Sequence, residues 1–443
     1  MKTPIYDFVT RYAESGASRM HMPGHKGIGE IERFDITEVF GADSLYEANG
    51  IIRESEKYAG ELFGADTFYS AEGSSLSIRA MMYLVSLFSK TNGRPCKVLA
   101  ARNVHKSFVY AVGLLDIDVE WLLPNENESY LSSSLDGAFV ERALLAMDEP
   151  PLAVYVTSPD YLGRTLPIAD IAEICHRYGV LLLVDNAHGA YLKFLNPSRH
   201  PIDLGADICC DSAHKTLPVL TGGAYLHISR AAPAQFSENA KRALALFGST
   251  SPSYLILASL DRANAYIAGG YRERLAEFSA KVDRLKSEIL NNGYALFGDE
   301  PLKLTLLTKK YGYLGYELAE RLMLDGIVCE FCDPDHLVLM LTPENTDEDI
   351  GKLKRVLLSI ERREEIAALP PKTIMPTRKV SVREALLSAC VSVSPRDAAG
   401  RVLASVTVGC PPAVPIIISG EVIDDECISA FEYYGIDEVN VVC

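Results

Sequence analysis

The sequence predicts an α/β protein, with a mostly parallel sheet in a large domain, then a smaller α/β domain and a C-terminal segment. Short apolar runs, which are typical of buried strands, recur from residue 50 onward. Helical patterns separate several of these runs. Strands that alternate with helices imply right-handed crossovers and a sheet that is covered on both faces.

The elements of the large domain follow from hydrophobic periodicity. The predicted strands are residues 97–101, 119–123, 152–157, 180–184, 206–210 and 223–228. The predicted helices are residues 51–63, 76–89, 136–147 and 168–178, with an amphipathic helix within residues 1–16. Residues 252–291 are helical in pattern, with a break at Gly269 and Gly270.

Beyond residue 291 the pattern describes further domains. Strands are predicted over residues 302–308, 328–331 and 337–341, and helices over residues 314–324 and 347–361. Several prolines mark residues 369–376 as a linker. We therefore predict an N-terminal arm and large domain (1–290), a small α/β domain (291–370) and a C-terminal domain (371–443).

Composition limits the class of partner. The formal net charge is −16, from 59 acidic and 43 basic residues, which argues against a nucleic-acid partner. The acidic balance suits a cationic small substrate, and it is also a common way to keep a protein soluble. No stretch approaches the ~20 apolar residues that span a bilayer, and the first residues lack the apolar core of a secretory signal. We expect a cytoplasmic protein without a membrane partner.

The ten cysteines are scattered, which indicates no disulfide framework. Cys209, Cys210 and Cys329 lie in apolar runs, as small core residues of a reducing compartment do. Cys329 and Cys332 form a lone CxxC pair, for which strand packing is favoured over zinc binding. We predict no metal site.

The most informative residues follow two predicted strands. Asp185 follows the run 180–184, at the carboxyl end where α/β sheets present ligands, and Lys215 follows the run 206–210. A carboxylate there can keep a pyridine nitrogen protonated and a lysine can form an imine, which pyridoxal phosphate requires. Taken singly, Asp185 can be a helix cap and Lys215 a surface residue. Together they favour a cofactor site.

Two further groups are candidates for the same site. His105 follows the run 97–101, where an imidazole can stack on a pyridine ring, although a single histidine in a loop usually has no such role. Gly73, Ser74 and Ser75 precede the helix predicted near residue 76, and backbone N–H groups at a helix start bind phosphate. The alternative, favoured when this segment is taken alone, is an ordinary serine N-cap.

Two loops leave two interpretations open. The loop from His21 to Gly27 either approaches an anionic ligand or forms a rigid turn. Residues 247–253, which include Thr250, either cap a helix at Pro252 or add phosphate ligands, including ligands to a neighbouring subunit's cofactor.

In their order along the chain, these segments resemble the Orn/Lys/Arg decarboxylase family, a branch of the fold-type I pyridoxal-phosphate enzymes. The resemblance is carried by His21-Met-Pro-Gly-His-Lys-Gly, Asn103-Val-His-Lys-Ser, Thr157-Ser-Pro-Asp-Tyr, Val184-Asp-Asn-Ala-His-Gly-Ala, Ala213-His-Lys-Thr-Leu-Pro, Ser251-Pro-Ser-Tyr and Cys410-Pro-Pro-Ala-Val-Pro-Ile. It implies a fold-type I structure and the α-decarboxylation of a basic amino acid, with arginine as first choice, then lysine or ornithine. It also implies a homodimer or a larger homo-oligomer.

By this resemblance, Lys215 would hold the cofactor covalently, Asp185 would pair with its pyridine nitrogen and His105 would stack on its ring. His214 or Lys215 would return a proton to the substrate. The remaining implied cofactor contacts are Gly73, Ser74, Ser75, Ala187 beneath the ring, His188, Ser212 and Thr250.

The sequence departs from the family pattern at three points. Glu72 precedes the phosphate loop where the family more often has Asn, Gly222 follows Thr221 where Gln is usual, and Ala413 replaces a typical Gly. The resemblance is to the short form of the family, for which the decamer of the long forms is not expected. An aminotransferase or another lyase on the same fold is the alternative, because the cofactor residues alone do not choose the reaction. A non-catalytic relative is a third reading, against which Lys215 and Asp185 speak.

Overall fold

The structure is a computed structural model that describes residues 1–122, 129–406 and 412–443. It divides into two compact units, each built from several stretches of the chain. The first comprises Met1–Val98, Gly137–Val156 and Ile168–Arg274, and the second Leu99–Asp136, Thr157–Pro167 and Leu275–Cys443. The division into three domains at residues 290 and 370 stays a prediction.

A seven-stranded sheet contains the strand that ends at Asp185 and the strands that precede Lys215 and His105. Its strands are β1 (Asp66–Ser70), β2 (Lys97–Ala101), β3 (Asp118–Leu122), β4 (Ala153–Thr157), β5 (Leu181–Asp185), β6 (Ile208–Asp211) and β7 (Ala224–Ile228). Their order is β1-β7-β6-β5-β4-β2-β3. Strands β5 and β6 run parallel, whereas β7 is antiparallel to both of its neighbours. The predicted α/β class is confirmed.

Within the described residues, ten helices lie along the same part of the chain. They are α1 (Pro4–Glu14), α2 (Ile51–Phe63), α3 (Gly73–Asn92), α4 (Lys106–Leu115), α5 (Gly137–Leu145), α6 (Ile168–Arg177), α7 (Ala213–Thr216), α8 (Gln235–Phe247), α9 (Tyr254–Ala268) and α10 (Tyr271–Asn291). Helix α3 buries residues around most of its circumference, as its apolar sequence predicts. The predicted break at Gly269 and Gly270 separates α9 from α10.

The rest of the chain forms two smaller sheets with their helices. One sheet, in the order β10-β11-β9-β8, is antiparallel, and the other has the order β12-β14-β13. The elements are β8 (Leu296–Phe297), β9 (Lys303–Leu307), α11 (Gly315–Leu324), β10 (Phe331–Cys332), β11 (His336–Met340), α12 (Asp347–Ser359), α13 (Val382–Leu387), β12 (Cys390–Val393), β13 (Leu403–Ser405), α14 (Asp425–Tyr433) and β14 (Val439–Val442).

The structure corrects several predicted elements. The strand predicted at 328–331 is wrong, because the strand is Phe331–Cys332 and Val328 is 80% exposed. The helix cap predicted at Pro252 is also wrong, since α9 begins at Tyr254 and the Ser253 side chain makes no capping hydrogen bond. Strand β1 and helices α4 and α8 were not predicted. Strand β1 has polar residues at both ends, and its pairing with β7 compensates for this weak local signal.

Two further observations concern membrane-crossing helices and cysteines. Within the described residues, no helix combines the length and the apolarity that a membrane crossing requires. The cysteines in the described ranges are all free thiols. Cys410, which opens the proline-rich motif, lies outside those ranges.

Candidate functional site

Asp185 is the last residue of β5 and is 2% exposed. The residues before it are apolar, so the strand lies in the core and presents the carboxylate at its carboxyl end. The Tyr155 hydroxyl donates to Oδ2 at 3.3 Å, and the Ala187 N–H donates to Oδ1 at 3.1 Å. The Cys210 thiol lies 3.6 Å from Oδ1. The Tyr155 contact is long for a hydroxyl donor and a thiol is a weak donor, so the Ala187 N–H makes the one ordinary hydrogen bond among these three contacts.

Burial raises the pKa of Asp185 above the ordinary value of a carboxyl group. The Ala187 N–H, the Lys215 ammonium and the Cys210 and Tyr155 side chains act in the opposite direction without cancelling this effect. A carboxylate in such surroundings gains most from a cationic partner. The chemistry of Asp185 therefore suits a protonated ring nitrogen.

Lys215 lies in the single turn α7, directly after β6. Its Nζ is 3.0 Å from Nε2 of His188. Because β5 and β6 are parallel neighbours, the residues after them, including Asp185, His188 and Lys215, come to the same edge of the sheet. The structure therefore brings together the two residues on which the cofactor prediction depends.

His214 precedes Lys215, and its Nδ1 lies 3.0 Å from the Gly223 carbonyl oxygen. A carbonyl can only accept a hydrogen bond, so Nδ1 carries the proton and Nε2 has the lone pair. Burial lowers the pKa of His214, and the Lys215 ammonium lowers it further. His214 is therefore a neutral base at neutral pH.

The N-terminus of α3 adjoins this cluster, because the Ser212 hydroxyl donates to Ser74 Oγ at 2.8 Å. Gly73, with φ +70°, is the first helical residue, and no described atom lies within 4 Å of a Cβ built on it. The N-cap is Glu72, whose side chain makes no capping hydrogen bond in the described structure. The serine N-cap interpretation is wrong, because Ser74 and Ser75 lie inside the first turn.

His105 lies in the second unit, as the N-cap of α4. Its Nδ1 accepts from the Ser107 N–H at 3.2 Å and lies 2.9 Å from Ser107 Oγ. The capping contacts are made through Nδ1, at one edge of the imidazole, and they do not involve the faces of the ring. Capping and ring stacking are thus compatible functions of one side chain.

Two loops left two interpretations open in the sequence, namely the loop from His21 to Gly27 and the loop that contains Thr250. In the loop from His21 to Gly27, the Lys26 ammonium donates to the His21 carbonyl at 2.6 Å, and His25 Nε2 lies 3.2 Å from Asp35 Oδ2. These internal partners favour the rigid turn. Thr250 is exposed, and the N–H of its neighbour Ser249 donates to Glu72 Oε1 at 2.6 Å.

A buried network around Asp211, the last residue of β6, was not predicted. His200 Nε2 and His227 Nε2 lie 3.1 and 3.2 Å from Asp211 Oδ2, and the Asn186 amide donates to Oδ1 at 2.6 Å. His227 Nδ1 contacts the Thr67 hydroxyl at 2.8 Å. The possible metal-ligating atoms of His200, Cys209 and Asp211 lie within 4.8 Å of one another, and two of these residues, His200 and Asp211, are hydrogen-bond partners. The sequence offered one sign of this network, which is His227, a polar residue inside the apolar run 223–228.

Comparison with known proteins identifies several relatives that are named as decarboxylases of basic amino acids. A family model described as "Orn/Lys/Arg decarboxylase, major domain" matches residues 3–296. The uncharacterized protein YaaO of Bacillus subtilis is 30% identical, over 97% of this chain and 93% of that protein. An arginine decarboxylase of Bacillus subtilis is also 30% identical, over 97% of this chain and 92% of that enzyme. A lysine decarboxylase structure, LdcF of Francisella novicida, has a TM-score of 0.77 at 18% identity and covers 100% of this chain and 81% of that one.

The fold and these matches define the class of protein, which is an amino-acid decarboxylase. Within that class, the chain belongs to the Orn/Lys/Arg decarboxylase family. The resemblance in the sequence motifs is confirmed.

Proposed function

We propose that the protein decarboxylates arginine with the help of pyridoxal phosphate. The observation that carries this proposal is the meeting of Lys215, His188 and the buried Asp185 at one sheet edge. The choice of arginine is supported by relatives that are 30% and 28% identical to this chain and are named arginine decarboxylases. Lysine and ornithine are the next candidates.

The residues at this edge fit the cofactor. Asp185, whose pKa is raised by burial, suits a cationic ring nitrogen. The open space at Gly73 and the first-turn N–H groups of α3 suit a phosphate, because a helix N-terminus attracts anions. The hydroxyls of Ser74, Ser75 and Ser212 add donors at the same place. We further assign cofactor contacts to Ala187, His188 and, from a second copy of the chain, Thr250.

When bound, pyridoxal phosphate supplies an electron sink for the bond pair that the departing carboxylate leaves behind. Asp185 would act as the counter-ion of a protonated ring nitrogen. Lys215 would hold the cofactor, and its amine would also be a candidate proton donor to the α-carbon of the substrate. His214 is the second candidate for this proton transfer, and because its Nε2 has the lone pair, it would first have to accept a proton there. On the family motif we assign ring stacking to His105.

We also propose that the protein is a cytoplasmic homodimer. The residues before α2 expose large apolar side chains that a second copy would cover, namely Met20, Met22, Ile28, Ile31 and Phe40. Free thiols accord with a reducing compartment. Sedimentation equilibrium of the purified protein checks the dimer, and a monomer at micromolar concentration would contradict it.

The substrate is tested by incubating the cofactor-loaded protein with arginine, lysine and ornithine in separate reactions. We expect carbon dioxide and the corresponding amine in equal amounts, fastest from arginine. Formation of a keto acid without carbon dioxide would instead indicate an aminotransferase. A protein with no turnover and no absorbance near about 420 nm, a property of the bound cofactor, would indicate a non-catalytic relative.

The role of Lys215 is tested by borohydride trapping followed by peptide mapping. We expect the label on the peptide that contains Lys215. Lys215→Arg is the matched control, because it keeps a positive charge near Asp185 but cannot form the covalent link. Label on another peptide, or label retained by this variant, would contradict the assignment.

A further inference from the structure

The loop that carries His105 contacts the C-terminal segment, which we define as residues 371–443. Both lie within the second unit. The family model ends at residue 296 and assigns nothing to this segment. The contacts occur at three places: before His105, at the start of α4, and at the end of α4.

Before His105, the Arg102 guanidinium forms a paired contact with Glu421. Nη1 donates to Oε1 at 2.7 Å and Nη2 donates to Oε2 at 2.6 Å. The two side chains are 3% and 4% exposed, and Arg102 also lies over the Trp121 ring at 5.2 Å. The Ile418 N–H donates to Glu421 Oε2 at 2.7 Å, which fixes the carboxylate from its other side. Two parallel hydrogen bonds in a buried place define the orientation of Arg102.

At the start of α4, the N–H of Lys106 donates to the Ala413 carbonyl at 2.9 Å. Lys106 directly follows His105 in the chain. Ala413 has φ +59°, a left-handed conformation that glycine adopts more readily than alanine. This backbone conformation accords with glycine as the typical residue of the family at this position.

At the end of α4, Arg383 donates from Nη1 to the carbonyls of Gly113 and Leu114, at 3.2 and 2.9 Å. A cation at a helix C-terminus satisfies unpaired carbonyls and the helix dipole. A Cβ at Gly113 would lie 2.4 Å from Leu386 Cδ1, so α13 packs closely on α4. The C-terminal segment thus contacts the residues before His105 and both ends of the helix that His105 caps.

From these contacts we infer that the C-terminal segment positions the His105 imidazole for its role in the reaction, with Glu421, Ala413 and Arg383 as positioning residues. The inference rests on the proposed function for the role of His105. The position of the loop itself can be measured without that function. Neither the loop that carries His105 nor helix α4 contains an acidic residue that could pair with Arg102. The position of the loop therefore depends on Glu421, which is 319 positions away in the chain.

The first test is hydrogen exchange of the Lys106 and Ser107 amides in the purified full chain. Glu421→Gln should increase their exchange at least about tenfold, because it breaks the paired contact. Asp335→Asn is the matched control. It breaks a buried contact with Lys309 and with Tyr433 of the same C-terminal segment, and it does not touch the His105 loop. Equal protection in the wild type and Glu421→Gln would overturn the inference.

The second test is a double-mutant cycle on the cofactor-loaded protein. Glu421→Gln should lower kcat roughly tenfold or more with a smaller change in KM, since small misplacements of a positioned group have effects of this size. It should also alter the circular dichroism of the bound cofactor. If Glu421 acts through His105, the loss should largely vanish in a His105→Ala background. Additive losses in the two variants would overturn the inference.

Two more variants cover poor folding of Glu421→Gln. Arg383→Met removes only the contact at the end of α4, and Arg102→Met with Glu421→Met removes both charges, which limits the penalty of an unpaired buried charge. Each should still speed exchange at Lys106 and Ser107. Unchanged exchange in both would contradict the inference. A wild type that shows loop protection but no turnover would count against the proposed function instead.

Discussion

Two buried carboxylates, Asp185 and Asp211, end neighbouring parallel strands of one sheet, and their partners give them opposite properties. Asp185 has three contacts, of 3.1 to 3.6 Å, from a backbone N–H, a hydroxyl and a thiol, and burial raises its pKa. Burial would also raise the pKa of Asp211, but the facing His200 and His227 rings hold that pKa well below its usual range.

The difference shows that depth of burial does not decide the charge of a carboxylate. Asp211 accepts from three nitrogen donors and forms a buried hydrogen-bond network with their side chains. The donors to Asp185 are a backbone N–H, a hydroxyl and a thiol, and together with the Lys215 ammonium they do not offset the effect of burial on its pKa. The Asp211 network has the geometry of a stabilising element, whereas we propose that Asp185 binds a cofactor.

The largest expected effect is on catalysis, in Asp185→Asn. An amide cannot act as the counter-ion of a protonated ring nitrogen, so we expect turnover to fall at least about a hundredfold. The apo protein should be as stable as the wild type or more so, because a poorly solvated charge has been removed. Carbon dioxide release and thermal unfolding check the two parts. Near-normal turnover in this variant would show that Asp185 is not needed for catalysis and would contradict the functional difference between the two carboxylates.

The complementary substitution, Asp211→Asn, should act mainly on stability. The new amide N–H groups would face the imidazole donors, and we expect the free energy of unfolding to fall by about 3 kcal/mol. Turnover per folded, cofactor-loaded molecule should change much less than in Asp185→Asn. Denaturant unfolding measures the first quantity. Unchanged stability would show that the network is not the stabilising element that its geometry indicates.

Acid titration of the apo protein should separate the two carboxylates. The folded-state pKa of Asp211 lies below the unfolded value of about 3.9, so its stabilisation is present above that pH and is lost as pH falls further. Asp185 has the opposite sign, since its folded-state pKa is raised and its ionisation opposes folding as pH rises above about 4. The two substitutions should therefore change the slope of stability against pH in opposite directions.

His227 also contributes to the loss of stability at acid pH. Burial lowers the pKa of His227, so the unfolded chain binds its proton first and stability falls as pH drops below about 6.5. Unfolding free energies measured from pH 7 down to about 2.5 supply the test, because the Asp211 contribution is lost only below about 3.9. Parallel pH profiles for Asp185→Asn and Asp211→Asn would contradict the assigned signs.

The smallest expected effect concerns a single hydroxyl. Tyr155→Phe removes a donor to Asp185 and should raise the pKa of that carboxyl further, lowering cofactor affinity by about 1 kcal/mol. Tyr225→Phe is the matched control, because the buried Tyr225 hydroxyl has no hydrogen-bond partner among the described residues. Cofactor titration by absorbance measures both. Equal effects would show that the Tyr155 contact does not support Asp185.

The positions of the strand ends could be predicted because they are encoded by neighbouring residues. The apolar run before Asp185 and the short run before Lys215 identify buried strands, and parallel pairing brings their ends to one edge. The start of α3 was placed too late, since Gly73 gives a weak helix signal. Strand β1 was missed because β7 supplies its stabilisation.

The sequence by itself determined the α/β pattern, the family and the pair Asp185 and Lys215. Periodicity and strand-end chemistry are local properties that a contiguous stretch of chain expresses. Only the tertiary structure decided which residues meet Asp211, and that Arg102 meets Glu421 across 319 positions. Such contacts depend on how distant strands, loops and helices pack, and no local pattern records that packing. The same packing sets the opposite pKa directions of two carboxyl groups that look alike in the sequence.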